Sequence, residues 1–119
     1  MAETVKKSFD SPEETRNVDK GTVEVLDMSG TQVMRATFEP GWKWSECVKQ
    51  VAGTDTCQVG HLVYVISGGM GIKMDDGSET EIGPGDVVSI PPGHDAWIVG
   101  DETCVLLDFG RLKGYAQAS

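Results

Sequence analysis

Cysteine and histidine are the side chains of this sequence that are best suited to metal binding or nucleophilic chemistry, and both are scarce. The chain has 3 Cys and 2 His. Cys57 and His61 lie an even number of residues apart in one stretch that looks extended, so both should point to the same face of a strand. A thiolate beside an imidazole forms a soft site that suits Zn²⁺ better than Mg²⁺. The spacing matches no zinc signature such as C-x₂-C, and the alternative is a small core cysteine beside a hydrogen-bonded interior histidine.

The second histidine, His94, follows a Pro-Pro-Gly turn and precedes Asp95. A carboxylate can orient an imidazole as a general base. Neighbouring residues of an extended strand point to opposite faces, however, so the favoured alternative is that Asp95 bonds nearby backbone amides. The remaining thiol, Cys104, lies in the apolar run that includes Val105–Leu107 and is predicted to be a core residue.

Trp42, Trp44 and Trp97 are the other side chains with a possible binding role. Trp42 and Trp44 share one face of an extended segment, opposite Lys43. An aromatic wall beside a few polar groups is typical of a small-molecule pocket. A sheet-packing or dimer-interface cluster explains the same residues equally well, and both interpretations stay open. If Ala96 faces inward, Trp97 faces outward.

Many short strands separated by glycine turns must position these side chains. The 15 Gly residues show neither a period nor a linker-like cluster, so they indicate turns. The Asp76-Gly77 pair is the clearest hairpin signal. The predicted strands are Thr22–Met28, Gln32–Glu39, Trp42–Val51, Cys57–Ser67, Gly71–Met74, Glu79–Ile82, Asp86–Ile90, Ala96–Val99 and Thr103–Phe109.

The two ends of the chain differ from this pattern. Residues 1–20 are predicted to be an N-terminal arm that forms a single helical turn or a flexible strap. The helical turn is suggested by Asp10–Glu14, which resembles a helix start. Residues 21–109 are the strand-rich domain. Residues 110–119 are predicted to be a C-terminal tail with Tyr115 as its anchor. The length of 119 residues corresponds to one domain.

Three segments resemble the conserved motifs of the cupin superfamily. Gly85–Gly93 is similar to the second cupin motif, in which a glycine is followed after five residues by Pro-x-Gly. His61–Gly68 looks like the end of the first motif, and Pro40-Gly41 like its start. The resemblance covers roughly Gly21 to Phe109. It implies an all-β fold, a single cupin β-barrel (a double-stranded β-helix of the jelly-roll type).

The resemblance also locates the metal ligands of the family, which are usually two His and a Glu in the first motif and a His in the second. The corresponding positions hold Cys47, Lys49, His61 and Ala96, so none of these ligands is retained in type. The family geometry places Cys57 and His61 in the barrel interior, brings Cys47 from a neighbouring strand and leaves His94 near the mouth. The predicted pocket residues are His61, Cys57, Cys47, Lys49, His94, Trp44 and Trp97, and the candidate ligands of a divalent transition metal such as Zn²⁺ are His61, Cys57, Cys47 and His94.

Charge and motif content exclude several functions. The net charge of −9 argues against binding to nucleic acid or to anionic membranes. No apolar run approaches the ~20 residues of a membrane span, and the polar N-terminus is unlike a signal peptide. The odd number of cysteines suggests a reducing, cytoplasmic location. The phosphate-binding and serine-hydrolase motifs are missing from the sequence.

Three functions remain open from the sequence. The first is a small-molecule-binding cupin with its ligand inside the barrel and a possible metal. The second is a metal-dependent isomerase, dioxygenase or decarboxylase that acts on a small polar or sugar-like metabolite through a Cys/His site. The third is a structural dimerisation module. Exposed edge strands in a monomer predict a homodimer in each case.

Overall fold

The computed structural model describes residues 3–48, 53, 57 and 60–110, and most of them lie in β-strands. Within these residues the one helix is a single turn, α1 (Trp44–Cys47), and no helix has the length and apolar character needed to cross a membrane. The strands are β1 (Glu14–Val18), β2 (Gly21–Met28), β3 (Thr31–Phe38), β4 (His61–Ser67), β5 (Gly69–Met74), β6 (Glu79–Ile82), β7 (Val87–Ile90), β8 (His94–Val99) and β9 (Cys104–Asp108).

The strands form two antiparallel sheets that share one core. The larger sheet has the order β1-β2-β3-β9-β4-β7, and the smaller has the order β6-β5-β8. Buried side chains from both sheets pack together, with Val65 and Leu106 from the larger sheet and Ile72 and Ile98 from the smaller. The predicted all-β jelly-roll barrel is therefore confirmed. Most predicted strands agree with the observed ones to within two residues at each end.

The predicted strand over Trp42–Val51 is wrong for residues 42–48, the part that the structure describes. The chain instead turns at α1, where the amide N–H groups of Glu46 and Cys47 both donate to the carbonyl of Lys43, at 3.0 and 2.8 Å. The side chain of Asp95, from strand β8, accepts a hydrogen bond from the Ser45 amide at 3.0 Å and so satisfies a donor at the start of the turn. This partner is distant in sequence, so the local alternation could not reveal it.

The N-terminal arm also differs from its prediction. The predicted helix start at Asp10–Glu14 is wrong, because Glu14–Val18 forms strand β1 and pairs with β2. Backbone pairing to an existing sheet edge outweighs the local helix-start signals. Of the predicted tail, only Gly110 lies within the described residues.

The corner between the two sheets depends on Gly68, which links β4 of the larger sheet to β5 of the smaller. Its φ of +75° lies in the left-handed region, and a Cβ at this position would come within 2.6 Å of both the Cα of Cys104 and the carbonyl oxygen of Thr103. Both neighbouring atoms belong to the backbone, so neither can move aside without disturbing β9. Gly77 has a similar φ of +93° but nothing within 4 Å of the corresponding position.

We therefore predict that Gly68→Ala lowers the free energy of unfolding by about 3 kcal/mol or more, whereas Gly77→Ala costs only about 1 kcal/mol of backbone strain. Chemical denaturation of the two variants measures the difference. Equal losses would contradict the close packing at this corner.

Candidate functional site

A cavity of about 450 Å³ lies inside the barrel, within the size range of small-molecule pockets. Its described walls are mainly apolar and come from both sheets. The polar side chains that line it are fewer, and four of them form one group: Cys57, His61, His94 and Asp108. This group is the candidate functional site.

Three separate segments of the chain bring the thiol and the two imidazoles together. His61 is the first residue of β4, and His94 is the first residue of β8. Cys57 pairs with His94 through an isolated bridge, in which the Cys57 amide donates to the His94 carbonyl at 2.7 Å. One potential ligand atom from each residue lies within 4.8 Å of the other two.

The contacts within this cluster are short. The distance from Cys57 Sγ to His61 Nε2 is 3.5 Å. The rings of His61 and His94 meet edge to face, with centroids 5.3 Å apart and an interplanar angle of 72°. Cys57 and His94 are buried, and His61 is partly exposed.

Each histidine is oriented by a hydrogen bond at its Nδ1 atom. His61 Nδ1 lies 2.6 Å from Asp108 Oδ2, and His94 Nδ1 lies 2.8 Å from the carbonyl oxygen of Pro91. A carboxylate and a carbonyl are acceptors, so in both rings Nδ1 carries the donated proton. Nε2 is then the nitrogen that each ring offers as a ligand.

The surroundings of His61 also favour its protonated form when no metal is bound. Burial alone would lower the pKa of this imidazole, but hydrogen bonds to Asp108 and Cys57 and the charges of those groups outweigh it and raise the pKa to about 9. At neutral pH the metal-free site therefore holds an imidazolium next to Asp108.

The structure brings together only part of the predicted site. Cys57, His61, His94 and Trp44 line the interior cavity, as does Trp42. Cys104 is fully buried, and burial raises the pKa of its thiol to about 11, which agrees with the predicted core role.

Two predicted site residues lie elsewhere. Cys47 is half-buried on α1 with its Sγ 3.8 Å from Asp19 Oδ2, because the helical turn that replaces the predicted strand carries it away from the cluster. Trp97 lines a depression on the outer surface beside Lys43, since Ala96 takes the inward position of β8. The predicted pocket residue Lys49 lies outside the described residues.

Sequence reasoning missed Asp108 altogether. This residue is buried and lies on the same face of β9 as Cys104 and Leu106, in a period-2 row that the sequence does contain. An acidic residue on the inward row of an otherwise apolar strand was the available signal. The favoured interpretation of Asp95 is confirmed, because its side chain accepts hydrogen bonds from the backbone amides of Ser45 and Ala96.

Comparison with solved structures gives several matches of the same fold. A sugar phosphate isomerase of the cupin superfamily from Silicibacter pomeroyi is 22% identical, with a TM-score of 0.65 over 89% of this chain and 74% of that chain. The polyketide cyclase RemF from Streptomyces resistomycificus is 19% identical, with a TM-score of 0.63 over 91% and 79%. A putative ethanolamine utilization protein from Salmonella typhimurium is 15% identical, with a TM-score of 0.54 over 76% and 68%.

These identities show a shared fold and not a shared activity. A search of curated protein sequences gives no match. The family model of the EutQ-like cupin domain, in contrast, matches residues 42–106, which is more than half of the chain and includes Cys57, His61 and His94. The protein belongs to the EutQ-like cupin domain family.

Proposed function

We propose that this cupin binds Zn²⁺ through Cys57, His61 and His94 and uses the metal to hold a small molecule inside the barrel. The observation that carries this proposal is the convergence of three soft ligand atoms within 4.8 Å of one another at the wall of a cavity. One thiolate and two imidazoles are a donor set that zinc enzymes use with a fourth position left open.

The distance between the Cys57 and His61 ligand atoms fits such a site. Zn–S and Zn–N bonds of about 2.3 and 2.0 Å at a tetrahedral angle separate sulfur from nitrogen by about 3.5 Å. The distance from Cys57 Sγ to His61 Nε2 is 3.5 Å. A thiol–imidazole hydrogen bond alone would account for this pair but would give no role to His94.

The neighbours of the two histidines support the same proposal. Metal-binding histidines usually donate their second ring N–H to a carboxylate or a backbone carbonyl, which fixes the ring and the tautomer. Asp108 does this for His61, and the carbonyl of Pro91 does it for His94. The Pro91 carbonyl precedes the rigid Pro92-Gly93 turn, so its position depends little on side-chain motion.

The open coordination position and the apolar walls of the cavity then determine which chemistry the site can perform. Three protein ligands leave room for one group of a bound molecule, and a metal ion in such a position supplies Lewis-acid polarisation of an oxygen atom. The apolar walls exclude water from this contact and so strengthen it. Asp108 keeps His61 in the tautomer that presents Nε2.

Metal titration tests the proposal with a spectroscopic probe. We predict that metal-free protein binds one Co²⁺ or Zn²⁺ per chain and that the Co²⁺ form shows a thiolate charge-transfer band. Cys57→Ser should abolish this band, and His61→Ala should remove most of the metal while the barrel stays folded, because the apolar core forms without the ion.

The matched control is Cys47→Ser, which makes the same chemical change at a half-buried thiol outside the cluster. It should leave both the stoichiometry and the band unchanged. Absence of stoichiometric metal in the wild type, or loss of the band in Cys47→Ser alone, would refute the assignment.

A second prediction concerns Asp108. Asp108→Asn keeps the size of the side chain but weakens the hydrogen bond that orients His61, so the zinc affinity should fall about tenfold to a hundredfold. Competition with a chromophoric chelator measures the change. Asp95→Asn is the control, because Asp95 also bonds backbone amides but lies away from the cavity. An unchanged affinity in Asp108→Asn would mean that Asp108 does not act through the metal site.

We also infer that two copies of the chain pair through strand β7. This strand is the outermost of the larger sheet, and no other described strand pairs with its second edge. It contains neither the charged residues nor the proline that usually protect an edge. The exposed apolar residues Leu62, Tyr64, Ile66 and Val87 extend this uncharged surface across β4 and β7.

A second copy suits this surface because it offers an identical, uncharged strand for antiparallel pairing. Sedimentation should give a dimer mass at micromolar concentration. Val87→Lys should give monomers, whereas Thr80→Lys, at an exposed strand position of the smaller sheet, should not. A monomeric wild type would contradict this pairing.

A further inference from the structure

We infer that the molecule bound in the barrel is mainly apolar and carries a single metal-coordinating anionic head, such as a hydroxamate, an enolate or a carboxylate. The inference rests on the proposed function in one respect, namely that the head meets the metal. The apolar character of the remainder follows from the cavity walls alone. It differs from the polar or sugar-like metabolite that belongs to one of the three functions left open from the sequence.

The described walls offer almost no hydrogen-bonding groups away from the cluster. Most of the lining is aliphatic, aromatic or thioether, and it includes Ala36, Phe38, Trp42, Met34, Met70 and Leu106. Phe38 and Trp42 stack with ring centroids 4.0 Å apart, which gives one wall a continuous aromatic surface. Methionine side chains adapt readily to the shape of an apolar guest.

Most polar atoms that line the cavity have partners, and the exception among the buried side chains of the described residues is Trp42 Nε1, which has none. Asp108 accepts hydrogen bonds from His61 through Oδ2 and from the Gly110 amide through Oδ1, at 2.6 and 2.7 Å. Arg16 forms two hydrogen bonds with Glu14, at 2.7 and 3.2 Å. Among the described lining residues, the buried polar groups left for a guest are therefore the metal-binding atoms and the Trp42 indole N–H, which allows one hydrogen bond beside the metal-bound head.

This arrangement disfavours sugars and sugar phosphates. A bound sugar brings several hydroxyl groups, and each one that loses water without gaining a partner weakens binding about tenfold to a hundredfold. A sugar phosphate that placed its phosphate on the metal would still have its hydroxyl groups against apolar walls. An apolar body, in contrast, gains affinity in proportion to the area that it buries.

The strand register indicates the direction in which the cavity extends from the metal-binding cluster. Asp108 on β9 lies three strands from Arg16 on β1, which corresponds to about 14 Å across the sheet. On β3, Met34 pairs with Asp108 and Ala36 pairs with Leu106, and Arg16 on β1 is half exposed at the rim. A guest with its head at the cluster therefore extends along the inner face of the sheet past Ala36.

The test compares three probes on zinc-loaded protein by calorimetry. Benzohydroxamate should bind about tenfold to fiftyfold more tightly than acetohydroxamate, because the ring adds buried apolar area to the same head. Glucose 6-phosphate should not bind measurably. Ala36→Leu narrows the cavity away from the metal. It should therefore abolish the higher affinity for benzohydroxamate and leave the affinity for acetohydroxamate unchanged. Thr80→Leu, at the surface, is the control.

Equal affinities for the two hydroxamates, or binding of glucose 6-phosphate as tight as that of benzohydroxamate, would overturn the inference. The proposed function can fail separately, through absence of zinc binding. In that case 1-aminonaphthalene fluorescence in metal-free protein tests the apolar cavity directly. Binding that Ala36→Leu abolishes and Thr80→Leu preserves would support the apolar guest, and absence of binding would refute it.

Discussion

The candidate site depends on the hydrogen bond between His61 Nδ1 and Asp108 Oδ2. This contact joins the first residue of β4 to the last residue of β9, and the register of the two strands holds it in place through the pairing of Val63 with Asp108. The register shift between Val65 and Ser67 lies farther along β4 and leaves this end of the ladder regular. A slip of one residue in either strand would turn the side chain of that strand to the outer face, so the chemistry of the cavity depends on strand register.

Much of the fold follows from the sequence because its strands alternate and its turns contain glycine. The corner at Gly68 and the hairpin at Gly77 both occupy left-handed conformations that glycine adopts at low cost. The predictions of secondary structure failed where partners distant in sequence decide the local structure. Strand β1 forms because β2 offers an edge, and α1 forms where Asp95 supplies a hydrogen bond to its first turn.

The sequence predicted part of the site, although Cys57 lies outside β4 and joins the site through its bridge to His94. Even spacing placed Cys57 and His61 on one face, and the structure has both at the cavity. The partner of His61 lies 47 residues away, which no local pattern reveals. Cys47 was misplaced because a helical turn rotates it away from the cluster. Trp97 was included among the predicted pocket residues, although alternation along β8 turns it outward once Ala96 faces inward, as the structure has it.

The most direct measurement is zinc K-edge X-ray absorption of the zinc-loaded protein. Coordination by Cys57, His61 and His94 predicts one sulfur at about 2.3 Å, two imidazole nitrogens at about 2.0 Å and one further light atom. Cys57→Ser should remove the sulfur shell alone. A first shell of five or six oxygen and nitrogen atoms without sulfur would contradict a metal site at this cluster.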